Sequence, residues 1–288
     1  MGRLSDRARY MALAALMLTW AASVSAAQAH PGTAPLERLG WDDAPSAPEA
    51  RATLERRRRE AALQHRSRQL LGQAFTVSFG DPSAEALATA SLASLDRAYW
   101  RVGAVLATFP NQPISVVVYT PEEFVDISGA PAWAAGSYDG TIRVPARGAL
   151  DNPAELDRVL AHELVHAFVR TLAPRGVPAW LSEGLATALE ADDLGWAERL
   201  VRNAYVSVPL QALTSGFSRL SADQARLAYA TSALAVHRLL DDVGGAAMAN
   251  LLRDLGEGVD VETAFVHRMH RSLADFQAGV TIRSAPAK

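Results

Sequence analysis

His162-Glu163-Leu164-Val165-His166 sets two imidazoles four residues apart, with a carboxylate directly after the first. On an α-helix, positions i and i+4 lie one above the other on a single face. Two neutral imidazole nitrogens placed that way can grip one zinc ion at about 2.0–2.1 Å. Glu163 is rotated roughly 100° around the same helix, so it stands beside the ion rather than on it. From there it can take a proton from water polarised by the metal, which is the work of a general base. Five residues can match by chance, so the surrounding elements must carry part of the weight.

They do. Asn152-Pro153-Ala154-Glu155 reads as an N-cap, a proline at the first helical position and a glutamate three residues after the cap. Leu156, Val159, Leu160, Leu164, Ala167, Phe168 and Leu172 keep helical spacing. Pro174 and Gly176 end the run. The motif therefore sits inside a delimited helix of about five turns.

A catalytic zinc site takes three protein ligands and keeps one position open for water. Beyond the turn, Pro178-Ala179-Trp180-Leu181-Ser182-Glu183-Gly184-Leu185-Ala186 reads as a second helix that doubles back over the first. Glu183 is embedded there among apolar neighbours, where an unpaired charge is expensive. A zinc ion would remove that cost. Gly184 weakens a helix relative to alanine, which points to a close approach of something at that position.

His162-Glu163-x-x-His166 together with Trp180-Leu181-Ser182-Glu183-Gly184-Leu185-Ala186 resembles the gluzincin metallopeptidases, and within them the bacterial peptidase-MA-like group. The resemblance runs from about Phe75 to Phe276 and includes Trp133-Ala134-Ala135-Gly136-Ser137-Tyr138-Asp139-Gly140, which looks like the strand edge before the active helix. It implies that His162, His166 and Glu183 ligate Zn2+ and that Glu163 is the base. One feature departs from the pattern. Thermolysin-like gluzincins carry an acid four positions after the ligand glutamate, where it orients a histidine; here that position is Thr187. Glu190 and Asp157 are the candidate substitutes.

An oxyanion donor, often Tyr or His in gluzincins, usually completes such a site. Tyr229 is the candidate, since Tyr229-Ala230-Thr231-Ser232 lies in a helix that should pass near the cleft. The competing reading is a core tyrosine whose hydroxyl bonds to backbone. Tyr138 is the second choice. The strand around Thr141 to Val144 is expected to pair with an extended peptide. His237, among Ala235, Val236, Leu239 and Leu240, reads as a core residue, and His267 and His270 as surface residues.

Around this centre the chain divides into four stretches. Residues 1–29 read as an export signal: Arg3, Arg7 and Arg9, then an apolar Met11–Ser23, then Ala27-Gln28-Ala29 for cleavage. Residues 30–73 read as a flexible Pro/Ala-rich lead-in followed by a charged, solvated helix containing Arg56-Arg57-Arg58-Arg59. Residues 74–176 form the N-terminal subdomain with the motif helix, and 177–282 a helical subdomain carrying Glu183.

In the N-terminal part Phe75–Phe79 and Ile114–Tyr119 read as strands, the second central. Ser83–Thr108 reads as a helix capped at Ser83, and Thr120 starts a short one. Tyr138–Val144 reads as a hairpin, with Pro145 suited to an edge. Helices are expected over 178–191, 195–204, 221–243, 246–255, 261–267 and 272–277.

The expected fold class is α+β, zincin-like: a mixed sheet with the motif helix packed on it, then a mainly helical half. The expected function is an exported, periplasmic or secreted bacterial zinc peptidase acting on peptide or protein substrates. Two alternatives stand beside it: a zinc-stabilised but catalytically silent envelope module, and a metal-assisted hydrolase of a cell-wall amide. A net charge of −3 argues against a nucleic-acid partner. With no cysteine, an exported chain gets no disulfide support, and no second apolar run reaches membrane-spanning length.

Overall fold

Ile114–Tyr119 is rich in β-branched residues and buries side chains on both faces, as a strand covered on both sides must. The computed structural model describes residues 47–128, 136–146, 152–190, 193–204, 208–217 and 220–283. The proposed export signal, the Pro/Ala-rich lead-in as far as residue 46 and Trp133 to Ala135 fall outside the described residues.

The elements run as α1 (Ala47–Gln64), β1 (Arg68–Leu71), β2 (Phe75–Phe79), α2 (Glu85–Leu106), β3 (Ile114–Tyr119), α3 (Pro121–Ser128), β4 (Ser137–Tyr138), β5 (Ile142–Pro145), α4 (Pro153–Leu172), α5 (Ala179–Glu190), α6 (Gly195–Asn203), α7 (Ala222–Glu257), α8 (Val261–Met269) and α9 (Leu273–Arg283). The sheet order is β1-β2-β3-β5-β4. The three inner strands are parallel, with Val77 opposite Val116 and Val116 opposite Ile142, and both outer pairs are antiparallel. The architecture is the expected α+β, a mixed sheet followed by a helical half.

Alternation along the strands sorts the two faces. Val77, Val116, Val118, Ile142 and Val144 join the main core with Leu95 of α2 and Leu160, Leu164 and Phe168 of α4. Val117 and Tyr119 turn the other way and pack on Phe124 and Ile127 of α3, with Leu63 of α1 against them. The motif helix α4 thus lies on one face and α1 on the opposite one.

Capping follows the sequence closely at α4, where the Asn152 side chain accepts from the Glu155 N–H at 3.3 Å and Pro153 opens the helix. Thr120 and Glu123 cap α3 reciprocally, at 3.0 and 3.2 Å. The cap ahead of α2 differs from expectation. Asp81, not Ser83, accepts a hydrogen bond, from the Ser83 N–H at 2.8 Å, and a short 3-10 turn over Pro82–Ala84 leads into the helix.

Three other expectations need correction. Strand β1 lies at the end of the 30–73 stretch, in the part read as a charged helix; it is a short, largely exposed edge strand, so it shows no apolar alternation to read. Strand β5 is not an edge: β3 flanks it on one side and β4 pairs with Ile142 and Arg143 on the other. Pro145 fits because it is the last residue of β5. Among the described residues β4 is the outermost strand at that end of the sheet, opposite the β1 edge. The break expected between 221–243 and 246–255 is present within α7, at the non-helical Gly244, where φ is 79° and ψ 164°, and the second segment runs on to Glu257. Lastly, His237 is exposed and pairs with Asp241 at 3.2 Å, because it falls between the buried positions of α7.

Candidate metal centre

Helix α4 places His162 and His166 on one face, with ring centroids 4.9 Å apart and the planes at 79°. Both rings are buried, at 4% and 6% exposure, as is Glu183, at 4%. Helix α5 doubles back across α4 and delivers Glu183 between the rings: its Oε2 lies 3.5 Å from His162 Nε2 and 3.7 Å from His166 Nε2. Ligand atoms of the three residues all lie within 4.8 Å of one another. Donors each bonded to one tetrahedral zinc sit about 3.4 Å apart, so the group fits a small divalent cation after slight contraction. Three buried donors of this kind could hold a metal ion.

The approach expected at Gly184 is present. A Cβ there would meet the Ser232 carbonyl oxygen of α7 at 2.6 Å and Val236 Cγ2 at 2.7 Å. Glycine lets α5 press onto α7, and this sets the depth at which Glu183 reaches the rings.

The outward nitrogens are held as well. Glu190 Oε2 lies 2.6 Å from His162 Nδ1, and Glu190 Oε1 accepts from Arg158 at 2.8 Å. Arg158 also grips Glu155 through two hydrogen bonds, at 3.0 and 2.6 Å. Ser182 Oγ lies 3.1 Å from His166 Nδ1. Of the two acids weighed for orienting a histidine, Glu190 touches His162, while Asp157 faces outward and pairs with Arg97 at 2.7 Å. Thr187 is buried, and its hydroxyl has no hydrogen-bond partner among the described residues. Sequence reasoning missed Arg158 and Ser182. Their signal was positional: Arg158 precedes His162 by one helical turn, and Ser182 adjoins Glu183.

Electrostatics separate the two imidazoles. Burial alone would lower the His162 pKa, but the Glu183 and Glu190 carboxylates outweigh it and push it up to about 10. Burial dominates at His166, helped by the neighbouring His162, and brings it down to about 4. Glu190 is held below the usual carboxylate value: burial opposes this, but Arg158 and His162 prevail. Glu163 is pushed up to about 7, chiefly by burial and then by the Glu183 and Glu190 charges. Among the described residues no salt bridge reaches the Glu163 carboxylate, although the residue is only 4% exposed.

Two further groups border the cluster. The free-edge strand begins just after Gly136, where a Cβ would sit 3.2 Å from both Cγ and Oε1 of Glu163. Tyr229, on α7, is buried, with its ring edge-on to Phe217 at 4.9 Å. Burial raises its pKa well above the ordinary phenol value, and the charges of Glu183, Glu163 and Glu190 add to the rise. Its hydroxyl therefore feels all three carboxylates. Tyr138 is half-buried on β4 and packs against the main core.

The family model of the peptidase MA superfamily matches residues 96–274, which is more than half of the chain. The chain belongs to the peptidase MA superfamily. The matched region starts within α2 and ends in α9, so it contains every residue of the buried cluster; it begins later than the resemblance at Phe75 implied. Membership makes this a peptidase-type hydrolase, in a superfamily whose peptidases are typically metal-dependent. No curated protein matches the chain significantly.

Proposed function

We propose that the protein is an exported zinc-dependent peptidase of the gluzincin type. The observation that carries this reading is the convergence of His162, His166 and Glu183 on one buried point, with Glu163 alongside. His162 and His166 would hold the ion through Nε2 and Glu183 through a carboxylate oxygen. Zinc held there would supply Lewis acidity, acidifying water and polarising a scissile carbonyl.

Glu163 is what argues for chemistry rather than structure alone. A buried carboxylate with no cation bonded to it costs stability, and it serves no ligand role beside the other three. Poised at about 7, it can accept a proton from water as the new C–O bond forms. It then delivers that proton to the leaving nitrogen as the C–N bond breaks. Tyr229 donates a hydrogen bond from its hydroxyl to the oxyanion that develops on the carbonyl. Its high pKa keeps that proton in place.

The free edge of β4 supports a peptide substrate. An extended chain can add to the sheet there by backbone pairing, and this brings its carbonyl past Gly136 toward Glu163. Export rests on the basic, then apolar, then small-residue order of the first 29 residues. An N-terminus at His30 in protein recovered from the cell envelope or medium would support it, and a retained Met1 would oppose it.

The deciding experiment compares Glu163→Gln with the native chain. The variant should bind about one zinc while peptide hydrolysis falls by roughly 10²–10⁴. Hydrolysis at the native rate would remove Glu163 from the mechanism. If the zinc-loaded native protein turned over no member of a broad peptide library, the silent module would be favoured. Activity confined to peptidoglycan fragments would favour the cell-wall amide.

A further inference from the structure

Ten of the eighteen residues of helix α1 are polar or charged, and Glu60 is its one buried residue among those whose side chains are described. A helix normally docks through an apolar stripe. Here Leu63 makes a partly buried apolar contact, and the most deeply buried contact is a charge. The Glu60 carboxylate accepts from Arg143 Nε at 2.8 Å and from Arg143 Nη2 at 2.8 Å, and it also accepts from the Tyr119 hydroxyl at 2.9 Å. The Arg143 and Glu60 side chains are 6% and 10% exposed.

The remaining arm of the same guanidinium goes elsewhere. Arg143 Nη1 pairs with the Asp139 carboxylate and reaches the Thr141 carbonyl at 3.4 Å. Asp139 and Thr141 flank Gly140 in the turn that joins β4 to β5, where Gly140 has a φ of 117°. One planar fork thus ties α1, β5 and the hairpin turn together. In register, Arg143 faces Ser137 of β4, the residue next to Gly136, whose backbone lies against Glu163.

All of this happens on the sheet face opposite α4. The helix therefore does not cover the buried cluster. It braces the edge strand from behind.

We infer that Glu60 and Arg143 are positioning residues for extended substrates: through the guanidinium fork, α1 holds the β4–β5 hairpin at the place where a peptide backbone pairs with β4. The inference rests on the peptidase reading and deepens it. Such a brace matters because β4 is two residues long and, among the described residues, has a neighbour on one side only. A strand that short cannot hold its own register against solvent.

Three proteins test it: native, Glu60→Gln, and the double variant Glu60→Met with Arg143→Met. Glu60→Gln keeps one acceptor but loses the charge. The double variant replaces the ion pair with apolar groups, a change that often preserves stability, yet it removes the link to Asp139 and Thr141. Two substrates are compared, a blocked dipeptide too short to reach β4 and an extended peptide long enough to pair along it. Both variants should raise KM for the extended peptide by about tenfold, the worth of one or two backbone hydrogen bonds, while the dipeptide keeps its native kinetics.

Amide exchange supplies a readout independent of turnover. Ser137, Tyr138, Ile142 and Arg143 should exchange faster in both variants, with α5 and α7 unchanged. Equal losses on both substrates would reduce the pair to a purely structural role and overturn the inference. So would native KM together with native hairpin exchange in the double variant. If the native protein cleaved nothing, the peptidase reading would fall, and unchanged hairpin exchange in the variants would still count separately against the brace.

Discussion

Glu190 Oε2 lies 2.6 Å from His162 Nδ1, and Arg158 holds the other oxygen of the same carboxylate at 2.8 Å. The acid that orients the first histidine therefore comes from the end of α5, three residues beyond Thr187, where the gluzincin pattern places it. Fixing the tautomer and ring plane of a ligand histidine raises its basicity toward a metal. Glu190→Gln should weaken zinc binding by roughly 10–100-fold, measured by competition with a chelator. Thr187→Ala should leave it unchanged. Native affinity in Glu190→Gln would show that the orienting contact does not matter.

Zinc binding should also depend on pH through His162. Its pKa, raised to about 10 from 6.5, means that ligation must displace a proton at any lower pH. His166, lowered to about 4, has none to lose near neutrality. Apparent affinity should fall about tenfold for each unit the pH drops between about 9 and 7, with about one proton released per zinc. Calorimetry in buffers of differing ionisation enthalpy counts that proton. A flat profile across this range would mean that His162 is already neutral.

Gly184 tests how α5 is seated. An added methyl meets the Ser232 carbonyl oxygen, a backbone atom that cannot swing away. Gly184→Ala should cost about 1–3 kcal/mol, the usual range for overpacking, although alanine is the better helix former. Thermal unfolding measures it. The variant should also bind zinc more weakly, since Glu183 shifts with the helix. A Tm at or above the native value would refute the close packing.

Tyr229→Phe separates the two readings of that side chain. An oxyanion donor lost from a buried site lowers kcat by roughly 10²–10³, with KM and zinc content unchanged. A core tyrosine would lose stability and keep its kcat.

Much of the candidate metal cluster was legible because its geometry is local. The spacing of His162 and His166, the cap at Asn152 and the stop at Gly176 all act within one helix. Glu183 was legible for a different reason, as an acid in an apolar helix directly after a turn. Arg158 and Ser182 were not, since neither departs from ordinary helix composition and each matters only once two helices are docked. Strand β1 escaped because an exposed edge strand has no buried face to impose alternation. The availability of β5 was misjudged for the same kind of reason: strand order is non-local, and β4 is too short to announce itself. Glu60 looked like one charge among many in α1, and its burial depends on an arginine far along the chain.

The central claim is that His162, His166 and Glu183 jointly hold one metal ion, and metal analysis of purified, zinc-equilibrated protein tests it most directly. The native chain should carry about one zinc, and His162→Ala and Glu183→Ala, both folded by circular dichroism, should each carry far less. Native zinc content and affinity in either variant, or no zinc in the native chain, would contradict the account.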